Sequence, residues 1–97
     1  MPTHDEWTQF LREWAKLTPQ QQTLFLAAVE EMVEDLRIHG PFRPSLRVKG
    51  VKRSPGVFEM TWAPDGRATF HYGSPVIPGE AHIIWRRIGG HDILQNP

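Results

Sequence analysis

The spacing of apolar residues changes once along this chain, at Gly40, from a helical repeat to a twofold one. Upstream of it, Trp7, Phe10, Leu11, Trp14 and Leu17 recur at three- and four-residue intervals, which places them on one side of a helix. Thr3 with Glu6 three residues on has the form of a capping box, so the pattern predicts a first helix over residues 4–17. Thr18, Pro19 and Gln21 repeat the signal with a cap, a proline in the first turn and a second capping box. The second helix then carries Leu24, Phe25, Ala28, Val29, Met32, Val33 and Leu36 on one face, with Glu30, Glu31, Glu34 and Asp35 largely on the other. Gly40 and Pro41 are its stop signal. With almost no loop between them the helices should form an antiparallel hairpin, and the stripe Trp7, Phe10, Trp14 reads as core.

Downstream of Gly40, Leu46 and Val48 alternate with Arg47 and Lys49. Phe58, Met60 and Trp62 alternate with Val57, Glu59 and Thr61, and Ala68, Phe70 and Tyr72 with Arg67, Thr69 and His71. Side chains on a strand point to opposite faces in turn, so these are strands with one buried face. Ser54-Pro55-Gly56 and Ala63-Pro64-Asp65-Gly66 are turn sequences, the second a tight hairpin. The more continuously apolar His82–Ile88 reads as a central strand ended by Gly89-Gly90, and residues 73–80 as a loop. The expected architecture is α+β, with two N-terminal helices packed on one face of a four-stranded antiparallel sheet. The 97 residues are enough for one domain, 1–97, divided into a helical hairpin (1–40) and the sheet (41–97). The uncovered sheet face would present Arg47, Lys49, Glu59, Thr61, Arg67, Thr69 and His71, a row suited to a phosphodiester backbone or simply a solvated face.

Composition narrows the class. Cysteine is absent, which removes disulfides and thiolate metal sites and fits a reducing compartment. No apolar run reaches membrane length and the N-terminus is polar, so neither a span nor a signal peptide is expected and the location reads as cytoplasmic. The five histidines (4, 39, 71, 82, 91) show no ligand spacing, so neither metal nor cofactor is expected. The zero net charge divides at Gly40 into −4 and +4, three basic against seven acidic residues before it and eight against four after. An acidic helical side and a basic sheet side would result, the latter inviting a polyanion.

The order of elements, with Leu46-Arg47-Val48-Lys49-Gly50, Phe58-Glu59-Met60-Thr61, Asp65-Gly66-Arg67-Ala68-Thr69-Phe70 and Ile84-Trp85-Arg86-Arg87-Ile88-Gly89-Gly90-His91-Asp92-Ile93, resembles the RelE/ParE toxin superfamily over nearly the whole chain. The resemblance implies the toxin of a toxin-antitoxin pair, with a cognate antitoxin protein as partner. It further implies a metal-free endoribonuclease (mRNA interferase) acting on mRNA in the ribosomal A site. Such cleavage uses the ribose 2′-hydroxyl as nucleophile, so the protein must move two protons and neutralise charge on the phosphate. By resemblance, Arg67 would stabilise that charge, His91 would be general acid or base, and Asp65 would join the active site as in the YafQ-like branch. Turn chemistry alone also explains an aspartate at that position. Arg47, Lys49, Lys52 and Arg53 would grip RNA, with Arg86 or Arg87 extending the patch according to which faces out. Glu59 would be a base or hold an arginine, His71 is a second acid-base candidate, and Trp62 or Trp85 is a base-stacking candidate unless it is core. Two departures from the superfamily pattern stand out: Ile93-Leu94-Gln95 where many members carry an aromatic residue, and overall neutrality. They keep open a ParE-like gyrase inhibitor and a catalytically inactive nucleic-acid- or protein-binding module.

Overall fold

The helix that begins at Pro19 starts where its sequence signals place it. In the computed structural model, which describes residues 1–97, the Thr18 hydroxyl accepts from the Gln21 amide at 3.1 Å and the Gln21 side chain accepts from the Thr18 amide at 2.9 Å. This helix, α2, spans Pro19–Arg37 and buries Phe25, Ala28 and Met32. It ends one residue earlier than the glycine signal implies. His39, not Gly40, takes the left-handed conformation (φ 54°). The His39 amide bonds Leu36 O and the Gly40 amide bonds Asp35 O, the paired closure of a Schellman motif in which glycine ordinarily occupies the left-handed place.

The chain's first residues do not extend a helix. Thr3–Glu6 form a strand, β1, and helix α1 is only Thr8–Trp14, with Trp7 at its N-cap and no side-chain cap. The capping box expected at Thr3 and Glu6 is therefore absent. The competing interaction is a parallel pairing of β1 with the strand His82–Gly89 (β5), in register Thr3↔His82 to Glu6↔Trp85. Without it, one edge of a strongly apolar strand would leave backbone donors and acceptors unmet. The Thr3 hydroxyl and the Asp5 carboxylate also bracket the buried His82 ring, at 2.7 Å from Nδ1 and 3.1 Å from Nε2.

The remaining strands are β2 (Lys49–Gly50), β3 (Phe58–Ala63) and β4 (Gly66–Tyr72), and the sheet order is β1-β5-β4-β3-β2. The antiparallel meander is as expected and β5 is interior, but the sheet has five strands and is mixed. The first expected strand shrinks to β2. Pro44–Leu46 form a 3-10 turn that buries Leu46, and Arg47 follows it in the left-handed region (φ 49°) instead of on a strand. The β3–β4 hairpin turns through Pro64-Asp65, and Gly66 is required there: a Cβ would come within 2.6 Å of the Trp62 indole.

Helices and sheet meet over Phe10, Phe25, Met32, Met60, Phe70 and Trp85, with Trp62 also in the core. Burial of Trp62 and Trp85 withdraws both from base stacking. Trp7 is not core, being 41% exposed. Asp35, expected on the solvent side, is buried beneath Arg43, whose guanidinium donates to both of its oxygens (2.9 and 3.1 Å) and whose amide donates at 2.9 Å. Arg43 also reaches Glu31 and Glu34, so it ties the segment after α2 back to that helix. No helix is long and apolar enough to cross a membrane.

Two predictions follow from these contacts. His39→Gly should remove the cost of a side chain at positive φ, about 1 kcal/mol, and raise the Tm by about 4–8 °C for a domain of this size; calorimetry reads it. The hydrogen bonds from Arg43 hold the Asp35 carboxyl below the usual carboxylate range. A depressed native pKa contributes stability that is present above the unfolded-state value of about 3.9 and is lost as pH falls through the native one. Denaturant titrations should therefore show Asp35→Asn destabilised at neutral pH, with the gap to wild type closing below about pH 4.

Candidate functional site

The polar candidates form two separate groups, one at the hairpin end of the sheet and one on the sheet face away from the helices. The first lies at the hairpin end. Arg67 pairs in register with Gly89, so its side chain and the space over Gly89 share one face. Asp65, exposed in the turn, lies against Gly90, where a Cβ would sit 3.1 Å from Asp65 Oδ2 and 3.2 Å from Asp92 Oδ1. His91 follows directly, exposed at the start of the 3-10 turn His91–Gln95. Topology thus gathers Asp65, Arg67 and His91 at one end of the sheet. One terminal nitrogen of Arg67 donates to the carbonyls of Ala63, Pro64 and Gly66 (3.4, 3.3 and 2.9 Å), which folds the side chain over its own hairpin. Arg67 and Arg47 border an open cleft of about 490 Å³ between α2 and the hairpin, with Trp62 and Leu24 among its walls.

The second group occupies the middle of the face. Thr69↔Arg87 is followed by Phe70↔Trp85, so Arg86 is the extra residue of a β-bulge. The bulge sends both Arg86 and Arg87 to the face opposite the core. Arg86 donates to His71 Nδ1 at 3.2 Å and lies 4.1 Å over the Trp7 ring, a cation–π contact. Arg87 is clamped by Glu13 of α1, Nε to Oε1 at 2.9 Å and Nη2 to Oε2 at 2.8 Å. Burial raises the Glu13 carboxyl, but the bonds from Arg87 and the Ile88 amide outweigh it and hold the group below its ordinary range. The same pairing raises Arg87.

Glu59 is buried, opposite Thr69 on one side and Lys49 on the other, with the Lys49 ammonium 3.9 Å away. Lys52 and Arg53 are exposed in the loop joining β2 to β3, at the end of the sheet remote from the hairpin. The expected single basic row is therefore divided. Lys49, Lys52 and Arg53 lie along one edge and beyond it, Arg47 leaves the sheet, and Arg87 is neutralised by Glu13.

The face is also less open than expected. Residues 90–97 cross it: Ile93 is buried, and a Cβ on Gly89 would lie 3.0 Å from its Cγ2. Thr69 and Arg86 both donate to the main-chain oxygen of Pro97, at 3.2 and 3.0 Å, and Arg87 to that of Asn96 at 2.7 Å. Sequence reasoning missed Glu13, Trp7 and this C-terminal cover. Glu13 and Trp7 act across more than 60 positions, and the C-terminal cover bonds a bulged strand and its neighbour, none of which local spacing signals.

No protein-family profile and no curated protein sequence matches the chain. Solved structures do match in shape, among them toxins and toxin-antitoxin complexes. The YafQ chain of the Escherichia coli DinJ-YafQ complex superposes with a TM-score of 0.64 at 14% identity, over 97% of this chain and 98% of that one. A copper-bound mutant toxin from Helicobacter pylori gives 0.61 at 17%, over 95% and 97%. The toxin-antitoxin complex RelBE2 from Mycobacterium tuberculosis gives 0.53 at 24%, over 92% and 96%. The fold is that of the RelE-like toxins.

The Arg86 bond fixes the state of His71. A guanidinium only donates, so Nδ1 must accept and the neutral ring carries its proton on Nε2. Burial first, and the Arg86 charge second, lower the His71 pKa. An NMR titration should find the His71 ring deprotonating below the ordinary value of about 6.5, and Arg86→Gln should raise it only part of the way, since burial stays.

Proposed function

We propose that this protein is the toxin of a toxin-antitoxin pair and a metal-free endoribonuclease acting on mRNA in the ribosomal A site. The observation that supports this is the pairing of Arg67 with Gly89 and the approach of Asp65 to Gly90, which puts both residues at the end of the sheet from which His91 follows. Cleavage by the neighbouring 2′-hydroxyl needs a group to take its proton, a group to protonate the leaving oxygen, and positive charge on the phosphate. His91, exposed and free to turn, suits the proton transfers. Arg67 keeps Nε and Nη2 without protein partners, which leaves donors for phosphate oxygens. Asp65, against the Gly90 peptide, would orient the His91 turn. Lys49, Lys52, Arg53 and Arg47 would hold flanking phosphates, and Glu59, beside Lys49, is placed to keep that ammonium in position.

A cognate antitoxin is the expected partner. Two of the similar structures, DinJ-YafQ and RelBE2, are toxin-antitoxin complexes. On a neutral chain with its basic groups divided, RNA binding by this protein alone would be weak, and the ribosome would supply most of the substrate positioning.

The test is cleavage of mRNA on programmed ribosomes in EDTA, with free RNA as control. Arg67→Ala should lose about a hundredfold to a thousandfold in rate, about 3–4 kcal/mol of transition-state stabilisation, and His91→Ala a factor of about 10² to 10⁴. Both should stay folded, since neither side chain is in the core. Intact message together with blocked gyrase supercoiling would move the protein to the ParE branch, and the roles assigned to Arg67 and His91 would fall with the change.

A further inference from the structure

Strand β3 is longer than the strand that covers its outer edge. β2 pairs only Lys49 with Glu59 and Gly50 with Phe58. The next partner along the edge, opposite Thr61, would be Arg47, but the 3-10 turn Pro44–Leu46 leaves Arg47 in the left-handed region and off the sheet. Main-chain groups of a strand point to its two edges in turn. Val51 N donates to Val57 O at 2.8 Å, so positions 57, 59 and 61 face the β2 side. The N–H and C=O of Thr61 therefore look out where β2 has ended, and an unpaired stretch of strand edge is a template for another chain.

The space beside that edge is the cleft of about 490 Å³ between α2 and the hairpin, and its two walls differ in chemistry. On the helix side stand Leu24 and Ala27, apolar and exposed. Arg67 stands opposite Thr61 across β3 and β4, so it shares the other face of the sheet with Thr61. Arg47 borders the cleft where β2 ends. Neither of these arginines meets a carboxylate, whereas Arg43 and Arg87 do. The cleft's own acid, Glu31, is held by Arg43 at 3.2 Å. A strand laid along the edge sends its side chains to the two walls in turn. Apolar residues then meet Leu24 and Ala27, and carboxylates meet the two arginines. RNA would bring phosphates to the arginines, but no strand-spaced N–H and C=O for Thr61 and no apolar groups at a matching period.

We propose that this cleft receives an extended segment of a partner protein in which apolar and acidic residues alternate, running antiparallel to β3 as β2 does. The segment continues the sheet from Thr61, and the contrast between the walls selects its side chains, as in other cases of strand addition. The residue that exchanges both main-chain bonds with Thr61 lies on Thr61's face, so it is an acidic one. The inference rests on the partner reading above for there being a protein partner, and it makes no use of RNA cleavage.

The probe is a blocked five-residue peptide in which valine alternates with glutamate, compared with its valine-lysine counterpart. On the intact protein the glutamate peptide should bind about tenfold more tightly, the worth of one charge-assisted bond. N-methylation of the glutamate amides should weaken it by about fivefold to tenfold, while N-methylation of the valine amides, which point away from β3, should leave it unchanged. Bound peptide should slow hydrogen exchange at the Thr61 amide and move the Trp62 indole NMR signal, since Trp62 lines the cleft. Ala27→Glu, at an exposed helix position, should weaken the glutamate peptide by about tenfold and leave ribosomal cleavage as it is. No binding of the glutamate peptide, equal binding of the two peptides, equal loss from either methylation pattern, or Thr61 exchange unmoved by saturating peptide would each overturn the inference. A single-stranded RNA hexamer that itself slows exchange at Thr61 would also overturn it, by making nucleic acid the occupant. Ribosomal cleavage is a separate readout. Peptide binding with intact mRNA keeps this cleft and removes the nuclease, whereas cleavage without peptide binding does the reverse.

Discussion

Strand β5 must meet the demands of both of its edges and both of its faces, and most of the architecture follows from how it does so. Its edges are satisfied by β4 on one side and, over His82–Trp85, by the parallel strand β1 on the other. Beyond Trp85 the β1 edge runs out, and the Glu13 carboxylate takes over by accepting from the Ile88 amide at 3.2 Å. On the core face β5 contributes Ile83, Trp85 and Ile88. A strict alternation could not place Trp85 and Ile88 on one face, since they stand three positions apart. The bulge at Arg86 supplies the missing step and sends two successive arginines to the opposite face.

That bulge shapes the electrostatics of the sheet face away from the helices. Two adjacent guanidiniums would repel each other and stay heavily hydrated unless each had its own surroundings. Arg87 finds a carboxylate from α1, so its charge serves to fasten helix to sheet. Arg86 finds a tryptophan face, an imidazole and a main-chain oxygen. The counterpart on the other side of the molecule is the Arg43 clamp on Asp35, which likewise spends a basic residue on holding the fold. A count of charges along the chain therefore overstates the free positive charge of the sheet side.

What could be read from local pattern was read where local signals were strong and agreed. Thr18, Pro19 and Gln21 place the start of α2 because the capping box is closed by residues three apart. The alternation across Phe58–Trp62 and Ala68–Tyr72 around Pro64-Asp65 defines a hairpin because turn and period point the same way. The same reasoning failed at Thr3 and Glu6, where a capping signal and a strand partner 79 positions away competed for one segment and the partner prevailed. It failed at Leu46–Lys49, where the 3-10 turn Pro44–Leu46 buries Leu46 and takes precedence over strand alternation. Of the site, Asp65, Arg67 and His91 were legible as motif positions, but Glu13, Trp7 and the C-terminal cover were not, since nothing in their neighbourhoods marks them.

The amino-acid sequence by itself determined the α+β class, the second helix, the hairpin and the interior strand, because periodicity and turn chemistry act between residues a few positions apart. Only the tertiary structure decided that the N-terminus is a strand, that Arg86 and Arg87 share a face, and that residues 90–97 lie across that face. The first is a pairing between opposite ends of the chain and the other two depend on a bulge and on a face that exist only once the sheet is assembled, so none of them leaves a local pattern.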